Sequence, residues 1–82
     1  MELVSEIIKS CESLSAIVQN HINNFKDNMV AISEFNSILD IINSIKMSVN
    51  ENNSEVMRNA LIEVQSRIDE VYLKVNKMKT RM

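Results

Sequence analysis

The chain has 82 residues, of which 45% are hydrophobic and 24% charged, and its net charge is −2; this balance excludes a disordered tail and fits one folded domain over residues 1–82. The sequence contains no glycine and no proline. Since hairpins, bulges and phosphate-binding loops rely on glycine, the composition excludes a sheet protein and a nucleotide-binding loop, and it predicts an all-α protein.

A first apolar run alternates steps of three and four residues from Val4 to Val49. This spacing is a heptad pattern, typical of helices that pack side by side. Apolar residues beside the run, such as Ile38 and Ile45, widen the stripe and indicate more than one neighbouring helix. The positions of the run are Val4, Ile7, Cys11, Leu14, Val18, His21, Phe25, Asn28, Ile32, Phe35, Leu39, Ile42, Lys46 and Val49.

A polar cluster at residues 23–28 leaves two architectures open. If the cluster is a loop, helices near 3–23, 28–49 and 55–81 form an antiparallel three-helix bundle, which is our first expectation. If a helix continues through it, residues 3–49 form a rod of about 70 Å that pairs with a second helix at 55–81. The unbroken heptad favours the rod, whereas the low charge of residues 28–50 favours a middle helix with two neighbours.

A second apolar run follows a polar stretch at residues 50–54, which we predict to be the main loop. Asn52 followed by Glu55 has the form of a capping box, and Ser54 is an equal candidate for the helix start. Val56, Ile62 and Leu73 stand beside the run. The run itself consists of Met57, Leu61, Val64, Ile68, Val71, Val75, Met78 and Met82.

The small core predicts association with a further helix. A chain of this length with one cysteine and few aromatic residues is marginally stable alone, so we expect a homo-oligomer or a complex with a helical segment of another protein. We place the interface on the last helix. Its predicted residues are Val56, Met57, Leu61, Ile62, Val64, Ile68, Val71, Leu73, Val75 and Met78.

His21 and Asn28 are polar residues at seam positions of the first run. Buried polar residues in a seam commonly fix the register between helices. A histidine there also titrates near neutral pH, so His21 is in addition a hypothetical pH switch. We therefore single out both as register or pH-switch candidates, with Asn28 as a possible partner of His21.

No pattern in the sequence points to catalysis or to a cofactor. The chain has one histidine and one cysteine, His21 and Cys11, and ten residues of helix separate them by about 15 Å, too far for a shared metal ion. Glu2 and Glu6, like Asp69 and Glu70, are interpreted as solvated helix charges. We expect no enzyme activity, no metal, no cofactor and no small-molecule substrate.

Charge and hydropathy also bear on partners and location. Lys74, Lys77, Lys79 and Arg81 lie at a helix C-terminus, where the helix dipole favours cations, so a nucleic-acid contact is the weaker interpretation of this basic end. No stretch reaches the 18 or so apolar residues that cross a bilayer, and the acidic start does not fit a signal peptide. We expect a cytoplasmic protein, of a cell or an infected host cell, without membrane contact.

From these patterns we expect a non-enzymatic helix–helix interaction module that oligomerises or assembles a larger complex. The alternative is a small helical chaperone or adaptor that binds an amphipathic helix of a partner protein; a third is a nucleic-acid-associated regulator acting through the basic end. In organisation, the chain resembles the short helical-hairpin chaperones of type III secretion needles and the oligomerisation segments of viral phosphoproteins. Neither resemblance rests on a motif, and no family is assigned.

Overall fold

A computed structural model describes residues 2–80 of the chain, and side-chain exposure for residues 3–77. It contains three helices, α1 (Glu2–Asn24), α2 (Met29–Ser48) and α3 (Ser54–Thr80). Each helix packs against both others, in a bundle measuring 47 × 17 × 15 Å. The predicted all-α three-helix bundle is confirmed, and the alternative with one rod over residues 3–49 is wrong.

Side-chain pairs between the helices define an up-down-up topology. Glu12 of α1 contacts Lys46 near the end of α2, whereas His21, later in α1, contacts Phe35, earlier in α2. These two helices are therefore antiparallel. The same His21 contacts Tyr72 near the end of α3, so that α1 and α3 run parallel and the middle helix runs against both.

The chain turns at residues 25–28 because Asn28 caps a new helix there. Its backbone is extended, with φ −108° and ψ 100°, and its side-chain oxygen accepts a hydrogen bond from the Ala31 amide at 3.1 Å. Asn28 thus satisfies one of the amides that a helix start leaves without a partner. Phe25, which is buried, anchors the turn in the core. Asn28 is a cap and not a seam residue.

The buried face of α2 is rotated relative to the predicted seam. Phe35 and Ile42 of that seam are fully buried as predicted, whereas Ile32 and Leu39 are only half-buried and Lys46 is exposed. The heptad that appears continuous in sequence is therefore two heptads of different phase. The buried residues of α2 are Ala31, Phe35, Ile38, Ile42 and Ile45.

Asparagine side chains organise the second connection. The Asn50 side-chain oxygen accepts hydrogen bonds from the backbone amides of Asn52 and Asn53, at 2.8 and 3.1 Å. The Asn53 side chain bonds back to the Asn50 amide at 2.8 Å and to the Ser48 carbonyl at 3.0 Å. The backbone carbonyl of Asn53 then accepts a hydrogen bond from the Met57 amide at 2.9 Å. α3 begins at Ser54, so Asn53 occupies the N-cap position that we expected for Asn52 or Ser54, but its side chain bonds to Asn50 and Ser48 and not to an amide of α3.

The core between the helices is aliphatic, with two phenylalanines. Phe35, Ile38 and Ile42 of α2 are fully buried, and each contributes roughly 1.5–3 kcal/mol by leaving water. The other helices supply the matching surfaces. The buried residues are Ile7, Cys11, Val18 and Phe25 before α2, those of α2 given above, and Leu61, Val64, Ile68, Val71 and Val75 in α3.

We expect Ile42→Asp to unfold the bundle, because a carboxylate at a fully buried position has no partner there and costs about 3–5 kcal/mol. The matched control is Ile41→Asp, since the neighbouring side chain is 43% exposed and its replacement costs under about 1 kcal/mol. Helicity and urea unfolding followed by circular dichroism measure both. Equal losses for the two variants would contradict the buried face assigned to α2.

The capping role of Asn28 gives a second prediction. Asn28→Ala removes the acceptor for the Ala31 amide and lowers the free energy of unfolding by about 1 kcal/mol, whereas Asn28→Ser retains most of the cap. Asn36→Ala, at an exposed position within α2, serves as the control and costs nothing. A gain in stability with Asn28→Leu would show that the residue lies in an apolar seam after all.

Candidate functional site

A groove lies between the parallel helices α1 and α3, with a volume of about 680 Å³. Ile7 and Leu61 form its buried floor, and Ser10 and Ser13 lie along the α1 side. We call this surface the α1–α3 groove. It is lined by Leu3, Glu6, Ile7, Lys9, Ser10, Ser13, Leu14 and Ile17 of α1 and by Arg58, Leu61, Ile62 and Gln65 of α3.

Two aliphatic side chains of the groove stay largely in water. Ile17 is 45% exposed and Ile62 is 55% exposed. They stand one position away from the buried seam of their helices, on the sides that α1 and α3 turn toward each other. Because α2 packs on the opposite side of this pair, the chain itself has no helix to cover them.

The predicted interface residues on the last helix differ in exposure. Val56, Ile62 and Leu73 are exposed, and Met57 is half-buried against the core. The side chain of Met78, like that of Met82, lies outside the part of the chain that the structure describes. The rest are buried against α1 and α2 and are not on the surface of the folded chain: Leu61, Val64, Ile68, Val71 and Val75.

The α1 half of the groove is absent from the predicted interface. Leu3, Ser10 and Ile17 are seven residues apart, so they form one line along α1 beside the buried seam. That spacing was visible in the sequence. It did not identify the site, because the sequence does not say that α3, rather than α2, lies on that side.

Further exposed apolar side chains lie on α2. Val30 and Ile41 are eleven residues apart and therefore share one face of the helix, while Met29 and Met47 lie near its ends. The residues between Val30 and Ile41 on this face include Glu34, whose carboxylate pairs with Lys74 of α3 at 3.5 Å. This face is therefore apolar only in patches.

All three aromatic side chains of the sequence surround or adjoin His21. The imidazole lies 4.6 Å from the Tyr72 ring and 5.4 Å from the Phe35 ring, measured between centroids, and Phe25 meets Tyr72 edge-on at 5.9 Å. Its Nδ1 atom is buried and has no hydrogen-bond partner among the described residues. Asn28, which we considered as its partner, is engaged in capping α2.

The surroundings of His21 favour its neutral form. Burial among aromatic rings lowers the pKa of the imidazole below its ordinary value, and the Asp69 carboxylate opposes this by raising it. The lone thiol of Cys11 is likewise buried; burial raises its pKa, while nearby Lys46 lowers it and Glu12 raises it. A thiol with a raised pKa is a poor nucleophile.

The basic end of the chain is only partly described. Lys74 pairs with Glu34, and Lys77 is exposed, whereas the side chains of Lys79 and Arg81 lie outside the described residues. Among the side chains that the structure describes, those of residues 3–77, no set of three from His, Cys, Asp or Glu is placed to hold a metal ion. None of the helices in this part of the chain has the length and apolarity to cross a bilayer.

No protein-family model, no curated protein and no solved structure matches this chain.

The position of His21 predicts a stability that depends on pH. Because its pKa is lowered in the folded state, the unfolded chain binds more protons at pH values just below 6.5, and the free energy of unfolding falls as the pH is lowered through this range. We expect the loss between about pH 7.5 and about pH 5.5, a range centred on the ordinary pKa of histidine. Above about pH 7.5, His21 is neutral in both the folded and the unfolded chain, and its contribution to the free energy of unfolding no longer changes with pH.

Urea unfolding at these two pH values measures the effect, and His21→Leu is the control because it retains an apolar side chain without a titrating group. The variant should be equally stable at both pH values. A wild-type protein whose response to pH equals that of the variant would contradict the role assigned to His21.

Proposed function

We propose that this chain is a non-enzymatic helix–helix interaction module that assembles by self-association. The observation that carries the proposal is the α1–α3 groove, where two parallel helices leave Ile17 and Ile62 in water above an apolar floor. Aliphatic side chains grouped in a groove are typical of surfaces that receive another helix.

The surface area of the chain is consistent with a missing partner. The solvent-accessible surface is 5844 Å², whereas a compact monomer of 9.4 kDa exposes about 5,000 Å². An elongated bundle exposes more surface than a compact protein of the same mass, and one subunit contributes roughly 800 Å² to an interface of standard size. The elongated bundle therefore exposes enough surface area for an interface of that size.

Self-association would also relieve the weakness of a small core. The sequence offers one cysteine and therefore no internal disulfide, and bundles below about 80 residues gain only a few kcal/mol from a single core. A second helical layer over the groove would bury Ile17 and Ile62 and extend the core outward. Stability and assembly would then depend on the same residues.

A second candidate is an adaptor or chaperone that binds an amphipathic helix of another protein. The groove favours it as well, because it extends along α1 from Leu3 to Ile17, about 20 Å, or four helical turns. A single helix running against α1 and α3 would complete a four-helix bundle. Under this candidate the isolated chain is monomeric or aggregates, and a co-expressed partner makes it stable.

Sedimentation equilibrium of the purified chain tests the proposal. We expect the average mass to rise with concentration from 9.4 kDa to a fixed small multiple of it, since a closed oligomer buries a defined surface. Light scattering on a sizing column provides an independent mass. A chain that stays monomeric at every concentration would contradict self-association and leave the adaptor as the better candidate.

A further inference from the structure

We propose that the α1–α3 groove receives a second copy of the same chain, turned antiparallel about a twofold axis that passes near Ser10. The inference rests on the proposed self-association and specifies its surface and geometry. It follows from the distribution of side chains along the groove, which is self-complementary when one copy is reversed.

The α1 side of the groove has an apolar residue at either end of a small central one. Leu3 and Ile17 lie seven residues before and after Ser10 on one line of the helix. A twofold axis perpendicular to the helices at Ser10 places Leu3 of each copy opposite Ile17 of the other. The serine side chains at the centre let the two helices approach closely.

The α3 side has the same symmetry. Since His21 contacts Tyr72, α3 runs level with α1 at an offset of 51 residues, and Ser10 lies level with Leu61. The axis therefore passes close to Leu61 and Ile62, which brings Ile62 near its own equivalent. Arg58 and Gln65 lie on either side, so the guanidinium of each copy can donate to the side-chain carbonyl of Gln65 in the other.

A parallel arrangement fits the groove less well. If the twofold axis runs along the helices, α1 of each copy faces α3 of the other at the same level. Because of the 51-residue offset, Ile17 of one copy then lies beside Ile68 and Asp69 of the other. Ile68 is buried and Asp69 exposed, so exposed Ile17 would meet a carboxylate. The antiparallel arrangement pairs it with Leu3 and opposes the helix dipoles of the two copies.

Two aspartate substitutions at exposed aliphatic residues of α3 test which surface of the chain self-associates. Ile62→Asp puts a carboxylate at the twofold axis and should weaken self-association by at least about tenfold. Val56→Asp is the matched control, because Val56 is 66% exposed on the same helix but does not line the groove. Circular dichroism should show both variants to be as helical as the wild type.

Cysteine pairing tests the orientation. We expect Leu3→Cys and Ile17→Cys chains, mixed and mildly oxidised, to form a covalent mixed dimer, while each variant alone does not. In the antiparallel dimer the two copies of residue 3 are about 20 Å apart along the helix, too far for a disulfide. The native Cys11 is fully buried and does not compete.

The outcomes distinguish a failure of this inference from a failure of the proposed self-association. If the wild type is an oligomer whose mass Ile62→Asp leaves unchanged, self-association stands and the groove is the wrong surface. If Ile62→Asp dissociates the oligomer but the cysteine variants give no mixed dimer, the groove stands and the antiparallel geometry is wrong. A wild-type chain that is monomeric throughout overturns both.

Discussion

The burial of one face of α2 between α1 and α3 is the constraint on which the rest of the structure depends. Phe35, Ile38 and Ile42 have no exposed surface, so both outer helices must pack on the same middle helix. This requires the chain to reverse twice within short connections. Asn28 permits the first reversal by capping α2, and the hydrogen bonds between Asn50 and Asn53 organise the second. In a chain without glycine or proline, asparagine residues stabilise the turns between the helices.

The same topology leaves the outer side of the α1–α3 groove without a covering helix. An up-down-up bundle brings its first and last helices side by side in parallel, and no connection crosses between them. α2 covers one side of this pair, which leaves Ile17 and Ile62 on the other. The ion pairs Glu12–Lys46 and Glu34–Lys74 both involve α2. The proposed association would supply the layer that a fourth helix provides in larger bundles.

The heptad pattern and the absence of glycine and proline predicted an all-α chain, and the low charge of residues 28–50 made the three-helix bundle the first expectation over the rod that the unbroken heptad favoured. The register of α2 was predicted only in part, because an asparagine that caps a helix and an asparagine in a seam have the same appearance in sequence, and Asn28 fitted both. The residues of the α1–α3 groove were predicted only in part for a related reason. Periodicity shows that Leu61 or Val64 is buried, but not whether its neighbour belongs to the same chain. Ile62 was named as an interface candidate because it lies beside the seam of α3. Ile17 lies beside the seam of α1 in the same way, but the sequence does not say which helix packs next to it.

The central claim, that α1 folds back on α2 within one chain, is most directly tested by a pulsed electron-resonance distance between spin labels at two exposed positions, Ser5 and Met47. Dilution with excess unlabelled chain removes distances between copies. A bundle places the labels within one or two helix spacings, on the order of 10–20 Å. A continuous helix through residues 23–28 would instead separate them by roughly 60 Å, and a distribution centred there would contradict the fold and the groove derived from it.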